Sequence, residues 1–361
     1  MSATIRKATL EDAIQGYNRS SKLGWPFTLP AWQQLVTSEQ VFFLISPEGD
    51  VAGTSCMFPQ GKVGAIGPTI VDDAHRRKGY AAQLIRENIA YAQSLPQEKR
   101  PTSLYLAASD MGRPVYAKIG FEAVTTVTSY GHELKPTEEI LKTKPEEHLT
   151  QSSMGADLSI EMGGETISID DWSQISTLCQ TASGLEDRRK ALEMVSLAYP
   201  RASSGSKGVT LQVGTKHCFI RQGSRIVAVV LARLQRNGYE IGPIIASDRH
   251  QARALLSSVF LDIYHSKQAD STAGKEVDGQ PWGKVDVSID EATDADGELS
   301  RYFTEKWGLG SYMKQPLMEY LLDRDAAERG DKGPMGKRVE LAKRGALEAP
   351  LQFAVINLAV M

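Results

Sequence analysis

The segment from His75 to Ala81 reads His-Arg-Arg-Lys-Gly-Tyr-Ala and lies just before a predicted helix. The start of a helix leaves backbone N–H groups without partners, and the helix dipole adds partial positive charge there. Gly79 lets the backbone approach a ligand closely, and Ala81 keeps the first turn narrow. These features suit a pyrophosphate group, although a plain solvated turn is the alternative. The glycines of a Rossmann turn and the Gly-Lys-Ser/Thr end of a Walker loop are absent.

The elements on either side of this segment would position it at the end of a strand. The predicted strand Val63–Val71 leads into it, and the predicted helix Tyr80–Ser94 has apolar residues near helical spacing. The other predicted elements of this half are a hairpin of Val41–Ile45 and Val51–Phe58, a strand Leu104–Ala108, a helix Pro114–Ile119 and a strand Val124–Tyr130. Together they predict a mixed α/β unit.

The second half of the chain repeats this order of elements. Ile66-Gly67-Pro68 matches Ile241-Gly242-Pro243, and both tripeptides lie in a strand that leads to a helix. Its predicted elements are a hairpin of Cys218–Ile220 and Ile226–Leu231, a strand Tyr239–Ala246, a helix Asp248–Tyr264, a strand Val285–Ile289 and a helix Leu299–Trp307. The shared order predicts an internal repeat, with two unrelated α/β halves as the alternative.

Composition excludes several classes of protein. The 361 residues include 41 Lys plus Arg and 44 Asp plus Glu, a net charge of −3, which argues against a duplex-coating or polybasic membrane protein. No apolar run reaches the ~18 residues of a membrane span, and the N-terminus lacks a signal core. Cys56, Cys179 and Cys218 form neither a zinc spacing nor a disulfide framework. We therefore expect a cytoplasmic protein with no metal, nucleic acid or membrane partner.

The basic turn, in this order of elements, resembles the GCN5-related N-acetyltransferase (GNAT) family, whose pattern is Gln/Arg-x-x-Gly-x-Gly/Ala. A second marker lies at the matching distance, because Asp110–Phe121 is similar to the family's later half-motif, in which a Tyr precedes a Gly-Phe end. The resemblance covers residues 1–135 and extends weakly over 165–320. It implies an α/β (α+β) fold of tandem GNAT-like domains, each a mixed, mostly antiparallel central sheet flanked by helices.

The resemblance also implies acetyl-CoA as the cofactor and assigns residues around it. The N–H groups of the turn would hold the pyrophosphate, and the end of the central strand would pair with the pantetheine arm. Ser109 stands where relatives often carry an Asn that contacts pantetheine. In this chain the Ser109 hydroxyl would have to make that contact. The cofactor-binding residues implied in this way are Ile70, Val71, Asp72, Arg76, Arg77, Lys78, Gly79, Tyr80, Ala81 and Ser109.

Tyr116 matches the family's general acid. A phenol with an unperturbed pKa of about 10 can donate a proton to a departing thiolate at neutral pH. Packing of an aromatic ring at a short helix is the alternative role for this residue. The general base is left open among Glu39, Asp110, His75 and a water chain to a distant carboxylate.

Trp25, Phe27 and Trp32 occupy the segment that closes over the acceptor in relatives. An aromatic wall there would favour an apolar or aromatic amine, and ordinary core packing is the alternative. We therefore list the three side chains as candidate substrate-binding residues.

The second half lacks the residues for the same chemistry. The segment after Ile241-Gly242-Pro243 has no glycine, and Asp248 with Gln251 predicts a capping box instead. An aspartate would occupy the N–H groups that a phosphate needs and would repel it. Thr304 stands where the first half has Tyr116. We expect this half to pack on the first and to shape the acceptor site.

These observations predict four segments. They are a catalytic domain at 1–135, a linker at 136–165, a degenerate GNAT-like domain at 166–322, and a mixed-charge tail with an apolar end at 323–361. The predicted activity is acetyl transfer from acetyl-CoA to the amine of a small molecule, directly within a ternary complex. A protein lysine or N-terminal acetyltransferase and a non-catalytic acyl-CoA-binding regulatory protein are the alternatives.

Overall fold

The computed structural model describes most of the chain. The described residues are 2–25, 27–38, 40–150, 157–164, 166–183, 208–210, 214–235, 238–272, 284–292, 294, 296–323, 327, 330–334, 336–337, 340 and 351–354. In this part of the chain, no helix is both long enough and apolar enough to cross a membrane.

The first half forms a sheet with helices packed on its faces. Its strands are β1 (Thr4–Lys7), β2 (Gln40–Ile45), β3 (Val51–Gln60), β4 (Val63–Ile66), β5 (Ile70–Val71), β6 (Ser103–Ala107) and β7 (Glu122–Glu133). Its helices are α1 (Ala13–Lys22), α2 (Leu29–Ser38), α3 (Tyr80–Ser94) and α4 (Arg113–Ile119). The central strand β3 is buried along nearly its whole length, which explains its continuous run of apolar and small residues.

The strand predicted over Val63–Val71 is in fact two strands. β4 ends at Ile66, and β5 begins only at Ile70. The residues between them include Pro68, which has no N–H to donate to a sheet ladder. β4 pairs in parallel with β6, whereas the pairing that the described residues show for β5 is with β3, so the break changes which neighbours the strand has.

The second half repeats the strand order of the first. Its elements are α5 (Glu138–Lys142), α6 (Pro145–Leu149), β8 (Leu158–Gly163), β9 (Thr166–Ser168), α7 (Ile169–Ser183), β10 (Gly208–Thr210), β11 (Lys216–Gln222), β12 (Arg225–Gln235), β13 (Gly238–Ala246), α8 (Arg249–Thr272), β14 (Lys284–Asp290), α9 (Glu298–Arg301), β15 (Gly310–Leu321) and β16 (Leu351–Ala354). The order β1-β2-β3-β4-β6 in one half corresponds to β8-β11-β12-β13-β14 in the other.

The two halves exchange strands and share one continuous sheet. β15, from the second half, lies between β6 and β7 of the first half and is antiparallel to both. β7, from the first half, pairs in turn with β14 of the second half. A core that contains Trp32 and Phe43 from one half and Trp172 and Phe219 from the other continues across the junction.

The segment predicted as a linker is largely structured. Residues 136–165 contain α5, α6 and the edge strand β8, which pairs with β11. Ile140 and Leu149 are buried in the core of the second half. These few apolar side chains lie among many polar ones, so the composition of the segment did not indicate that it packs on the second half.

The end of the chain also joins the sheet. The backbone of β16 pairs with β13 at Ile244–Ala246 and with β14 at Ile289. It therefore lies between two strands that pair directly with each other only at Tyr239–Ile241 and Val285–Val287.

Candidate active site

The sheet of the first half opens between two neighbouring strands. β4 and β6 pair from Val63–Ala65 to Ser103–Tyr105, and within the described residues no pairing continues from there between β5 and β6. β5 follows β3 instead, which leaves the last residues of β6 without a partner on that side. We call this opening the strand gap.

The backbone of Val71 faces the strand gap. The Asp72 N–H donates to the Ala52 carbonyl at 2.9 Å, and alternation along an antiparallel pair directs the polar groups of Ile70 to β3 as well. The N–H and C=O of Val71 therefore point away from β3. Of the three strand-end residues implied to bind pantetheine, Val71 has the available N–H group.

Arg19, which the sequence analysis missed, anchors this strand end. Its guanidinium group, on α1, bonds the Asp72 carboxylate at 2.9 Å and also donates to the Val51 carbonyl. The Asp72 carboxylate is therefore engaged in a structural ion pair with Arg19. An arginine in an amphipathic helix gives no sequence signal for such a contact, because the partners are 32 and 53 residues away.

The basic turn presents free N–H groups at the start of α3. Gly79 is the N-cap of this helix with φ +79°, and Arg77 also has a positive φ, of 62°. Among the described residues, the N–H groups of Gly79, Tyr80 and Ala81 have no hydrogen-bond partner. A Cβ atom at Gly79 would contact nothing within 4 Å. The glycine is therefore required by its left-handed backbone, and the space above it is open.

The basic side chains of the turn differ in their contacts. Arg76 folds back to form an ion pair with Asp73 at 2.7 Å, and its Nε donates to the Val71 carbonyl at 3.4 Å. Arg77 and Lys78 are exposed. Tyr80 is buried and packs with Phe42 and Leu84, so its side chain belongs to the core while its N–H belongs to the turn.

Tyr116 is buried on α4, beside the gap. Its ring packs against Phe121, which in turn packs against Tyr320 of β15. The ring also lies over Gly112, where a Cβ atom would come within 2.7 Å of it. Burial raises the pKa of the Tyr116 hydroxyl, and the Thr69 side chain acts on this pKa in the opposite direction. The hydroxyl thus stays protonated at neutral pH.

Ser109 lies in the turn between β6 and α4. Its hydroxyl accepts a hydrogen bond from the Gly112 N–H at 3.2 Å, and the side chain is exposed. The residue therefore stands just after the end of β6, and its oxygen already accepts a hydrogen bond that shapes the turn.

The candidate aromatic wall requires a correction. Trp32 is fully buried and its indole N–H donates to the Ser20 hydroxyl at 2.9 Å, while Phe27 is only 3% exposed. Both rings pack in the core, with their centroids 5.7 Å apart. Trp25 alone among the three keeps partly exposed surface. Aromatic side chains in a proline-containing segment are typical of a pocket wall and of a core alike, so the sequence pattern could not distinguish the two.

The three candidate general bases differ in their surroundings. Glu39 lies outside the described residues. Asp110 is exposed in the turn after β6, and His75 is half-buried and stacks on Tyr80 with ring centroids 6.2 Å apart. This geometry does not assign the base to either of them.

A cavity of about 590 Å³ lies where the two halves meet. Its walls come from β7, from the turn between β14 and α9, and from β15; they include Thr126, Thr128, Tyr130, Glu291, Asp294 and Lys314. Glu291 accepts hydrogen bonds from Thr128 at 2.9 Å and from Lys314 at 3.0 Å. Lys314 is three residues from Leu317, which pairs with the end of β6. Because β15 lies on the edge of β6 opposite β4, β6 itself stands between this end of β15 and the strand gap.

Within its described residues, the second half differs from the first at both the strand gap and the helix start. β16 occupies the space between β13 and β14. At the start of α8, the Asp248 carboxylate accepts from the Gln251 N–H at 2.9 Å, and the Gln251 side chain accepts from the Ser247 N–H at 3.1 Å. The capping role predicted for Asp248 is therefore confirmed.

Comparison with known proteins agrees with this geometry. Residues 8–121 match the model of the acetyltransferase (GNAT) family. Over 129 residues the chain is 27% identical to the uncharacterized N-acetyltransferase YitH of Bacillus subtilis (strain 168). That alignment covers 35% of this chain and 44% of the relative, so it spans less than half of the relative's length.

Two solved structures share the fold over nearly the whole chain. A putative acetyltransferase from Pyrococcus horikoshii has a TM-score of 0.60 at 16% identity, with 93% of each chain covered. A tandem GNAT protein from the clavulanic acid biosynthesis pathway has a TM-score of 0.55 at 11% identity, with 89% of this chain and 99% of that chain covered. The predicted fold class is confirmed: residues 8–121 match the model of the acetyltransferase (GNAT) family, and the chain shares its fold with a tandem GNAT protein.

Proposed function

We propose that this protein is an acetyl-CoA-dependent N-acetyltransferase that acts on the amine of a small molecule. The observation that carries the proposal is the strand gap. One end of the gap has a helix start with free N–H groups, its side has the outward-facing backbone of Val71, and the Tyr116 hydroxyl lies beside it. The family match of residues 8–121 supports the same activity.

The residues present fit acetyl-CoA. The N–H groups of Gly79, Tyr80 and Ala81 form an open anion site, and the exposed Arg77 and Lys78 add positive charge around it. The Val71 N–H would pair with an amide carbonyl of the pantetheine arm, as an added strand would. When bound, acetyl-CoA would supply the acetyl group as an activated thioester.

The side chains of this chain would provide orientation and a proton. The Tyr116 hydroxyl would release its proton to the departing thiolate sulfur, and solvent would later return a proton to the phenol oxygen. Burial keeps the pKa of this hydroxyl high, so the donor is in its protonated form across the physiological range. The acceptor must reach the site as a neutral amine, and the gap fixes the thioester for its approach.

Two features support a small acceptor. The cavity between the halves has a volume of about 590 Å³, within the range that small-molecule ligands occupy. The net charge of −3 on 361 residues provides little long-range attraction for a strongly charged macromolecule. The acceptor would lie between the gap and this cavity, so both halves of the chain would contribute to it.

We also propose a reducing compartment, the cytoplasm. Cys56, Cys179 and Cys218 are all buried thiols that are not joined in a disulfide bond. Thiols that lack a disulfide framework are typical of chains that stay in such a compartment.

The test is a thiol-release assay with acetyl-CoA against a panel of small amines, amino acids, amino sugars and lysine-containing peptides. Mass detection of the product identifies the acetylated species. Turnover with a small amine that exceeds the background hydrolysis, and its loss in Gly79→Val, would support the proposal. Turnover restricted to peptides would replace the proposed acceptor class. Tight acetyl-CoA binding without turnover on any class would favour the non-catalytic alternative.

A further inference from the structure

One side chain of β15 combines deep burial with an amide oxygen that has no partner. Gln315 is only 9% exposed, and its Oε1 atom has no hydrogen-bond partner among the described residues. An unpaired polar atom in the interior is destabilising, so it points to a ligand that would pair with it. The sequence analysis did not select this residue.

The register places Gln315 at the end of the sheet where the strand gap opens. The Ala108 N–H, just after β6, donates to the Pro316 carbonyl of β15 at 2.9 Å. Gln315 is the next residue of β15, so it lies just past the point up to which β6 separates β15 from the gap. Beyond Ala108 the chain turns into α4, whose Tyr116 packs with Ile85 of α3 on one face of the sheet.

The Gln315 side chain lies on the opposite face of the sheet. Its direct partner on β7 is Val127, and Leu317, two residues along β15, shares its face. Both apolar side chains belong to the core that α1 and α2 cover, and Ala107 and the partly exposed Trp25 pack against the same core. Because β6 ends at Ala107 and α4 lies on the other face, β6 does not cover Gln315 on the gap side.

The cavity between the halves lies on the other side of Gln315. Thr125 of β7 is diagonally across from Gln315 on the same face and lines this cavity. Asp290, the buried carboxylate next along this face, accepts from the Thr125 hydroxyl at 2.7 Å and from the Ala292 N–H at 2.9 Å. Gln315 therefore stands between the gap and the cavity, and it presents an uncharged amide there.

We propose that Gln315 is a specificity-determining residue for the acceptor, and that the acceptor amine carries a hydroxyl that the Gln315 amide binds. A hydroxyl donates to an amide oxygen or accepts from an amide nitrogen, so it pairs with Gln315 whichever way the amide is turned. Val127 and Leu317 beside it are apolar, which suits an uncharged hydroxyl better than a carboxylate or a phosphate. This inference rests on the proposed function, because it narrows the acceptor class of the same site.

The first test measures a preference within pairs of amines. Hydroxyl-bearing amines, among them amino sugars, ethanolamine and tyramine, are each compared with the counterpart that lacks one hydroxyl, such as ethylamine and phenethylamine. The counterpart leaves the buried amide unpaired, so we expect the unmodified protein to favour the hydroxyl member of at least one pair by about 5- to 100-fold in kcat/KM. No preference in any pair would overturn the inference.

The second test is Gln315→Met, which keeps the length of glutamine without its polar atoms. The preference should fall to less than about twofold, with KM for acetyl-CoA unchanged, because the methionine cannot distinguish the two amines. A purely structural defect would lower kcat/KM for both members of a pair alike and leave their ratio intact. A preference that survives in Gln315→Met would overturn the inference.

Gln60 provides a matched control. It is 1% exposed and both of its amide atoms lack partners among the described residues, but it lies at the β3–β4 hairpin, at the far end of the sheet from the gap. Gln60→Met should therefore keep the preference of the unmodified protein. Loss of the preference in both variants would trace it to the removal of any buried amide, and would also overturn the inference.

Calorimetry reads the same contact without turnover. The pairs of amines are titrated into the protein saturated with coenzyme A. A hydroxyl-dependent affinity that Gln315→Met removes, in a protein that acetylates no amine, would overturn the proposed function and leave the Gln315 contact in place. Acetylation of amines with no dependence on a hydroxyl, in rate or in affinity, would overturn the inference and leave the proposed function. Neither acetylation nor hydroxyl-dependent binding would overturn both.

Discussion

Leu317, from the second half of the chain, lies directly opposite Ala107 of the first half in an antiparallel register. The strand that carries Leu317 also pairs with β7 on its other side. The end of β6 leads into α4, the helix of Tyr116. This end is thus held by a strand that lies about 200 residues later in the chain. The first half cannot complete its sheet alone.

The first prediction concerns truncation. A fragment that ends at Lys144 lacks β14 and β15, so β6 loses one neighbouring strand, β7 loses both, and Phe121 loses its contact with Tyr320. Exposed strand edges and apolar surface promote aggregation. We expect this fragment to be mostly insoluble or aggregated, as measured by size-exclusion chromatography after expression.

The matched control is co-expression of the fragment with residues 145–361. Each fragment supplies the strand that the other lacks, β15 in one direction and β7 in the other. The two should therefore co-purify as a soluble 1:1 complex. A fragment ending at Lys144 that is monomeric, folded and fully active would show that the strand exchange is dispensable.

The second prediction concerns Gly79. Its φ of +79° is strained for any residue with a branched Cβ, although nothing within 4 Å blocks the side chain. Gly79→Val should shift the turn to a different backbone conformation and displace its free N–H groups. We expect acetyl-CoA affinity, measured by calorimetry, to fall by about 5- to 30-fold, since about 1–2 kcal/mol of backbone strain is at stake.

Gly223 provides a matched control. It lies in the β11–β12 turn with φ +60° and also has nothing within 4 Å. Gly223→Val should cost comparable stability in a thermal melt but leave acetyl-CoA affinity unchanged. Equal affinity losses in both variants would trace the effect to general destabilisation.

Local sequence signals predicted the element types near the site well. Helix α3 begins at Tyr80 and ends at Ser94 as expected, because Gly79 and the apolar spacing are local features. The helix of Tyr116 ends at Gly120, whose φ of 110° requires a residue without Cβ strain. Such signals depend on neighbours within a few residues.

Long-range relationships were not predictable in the same way. Residues 310–321 form a strand that no sequence signal assigned to the first half, since pairing depends on the partner strand and not on the strand's own composition. Asn88 and Ser55 are ordinary polar residues, and their hydrogen bond forms only where α3 packs on β3. Trp32 reads equally well as wall or core until its burial is known.

The third prediction concerns Tyr116→Phe, which removes the hydroxyl and keeps the ring. If this residue donates the proton, kcat should fall by about 10²–10⁴-fold with little change in acetyl-CoA affinity. Tyr320→Phe is the control, because Tyr320 packs in the same core cluster on the far side of Phe121. Its kcat should stay near that of the unmodified protein. Unchanged kcat in Tyr116→Phe, with chemistry shown to be rate-limiting, would assign that residue to packing.

The fourth prediction concerns pH and Asp286 of β14. Burial raises the pKa of this carboxyl from 3.8 to about 6, against the effect of a hydrogen bond from Tyr312. The folded state therefore holds its proton more tightly than the unfolded state. Its contribution to stability is fully present below about pH 4 and is lost as the pH rises through about 6.

Asp286→Asn stays neutral at every pH and isolates this effect. The difference in free energy of unfolding between the variant and the unmodified protein should grow in the variant's favour by about 2 kcal/mol from pH 4 to pH 7. Urea denaturation at three pH values measures it. Parallel pH profiles for the two proteins would show that Asp286 titrates normally.

The last prediction is that each chain binds one acetyl-CoA. Two independent features exclude the second half: β16 lies between β13 and β14, and Asp248 already accepts from the Gln251 N–H at the start of α8. A phosphate there would have to displace a carboxylate of its own charge. Calorimetry should give a stoichiometry of one. Deletion of residues 350–361 should keep it at one, because opening the space between β13 and β14 does not restore a free helix start. A second site in the deleted chain would show that β16 alone blocks it, and two sites in the full chain would contradict the assignment of the cofactor to the first half.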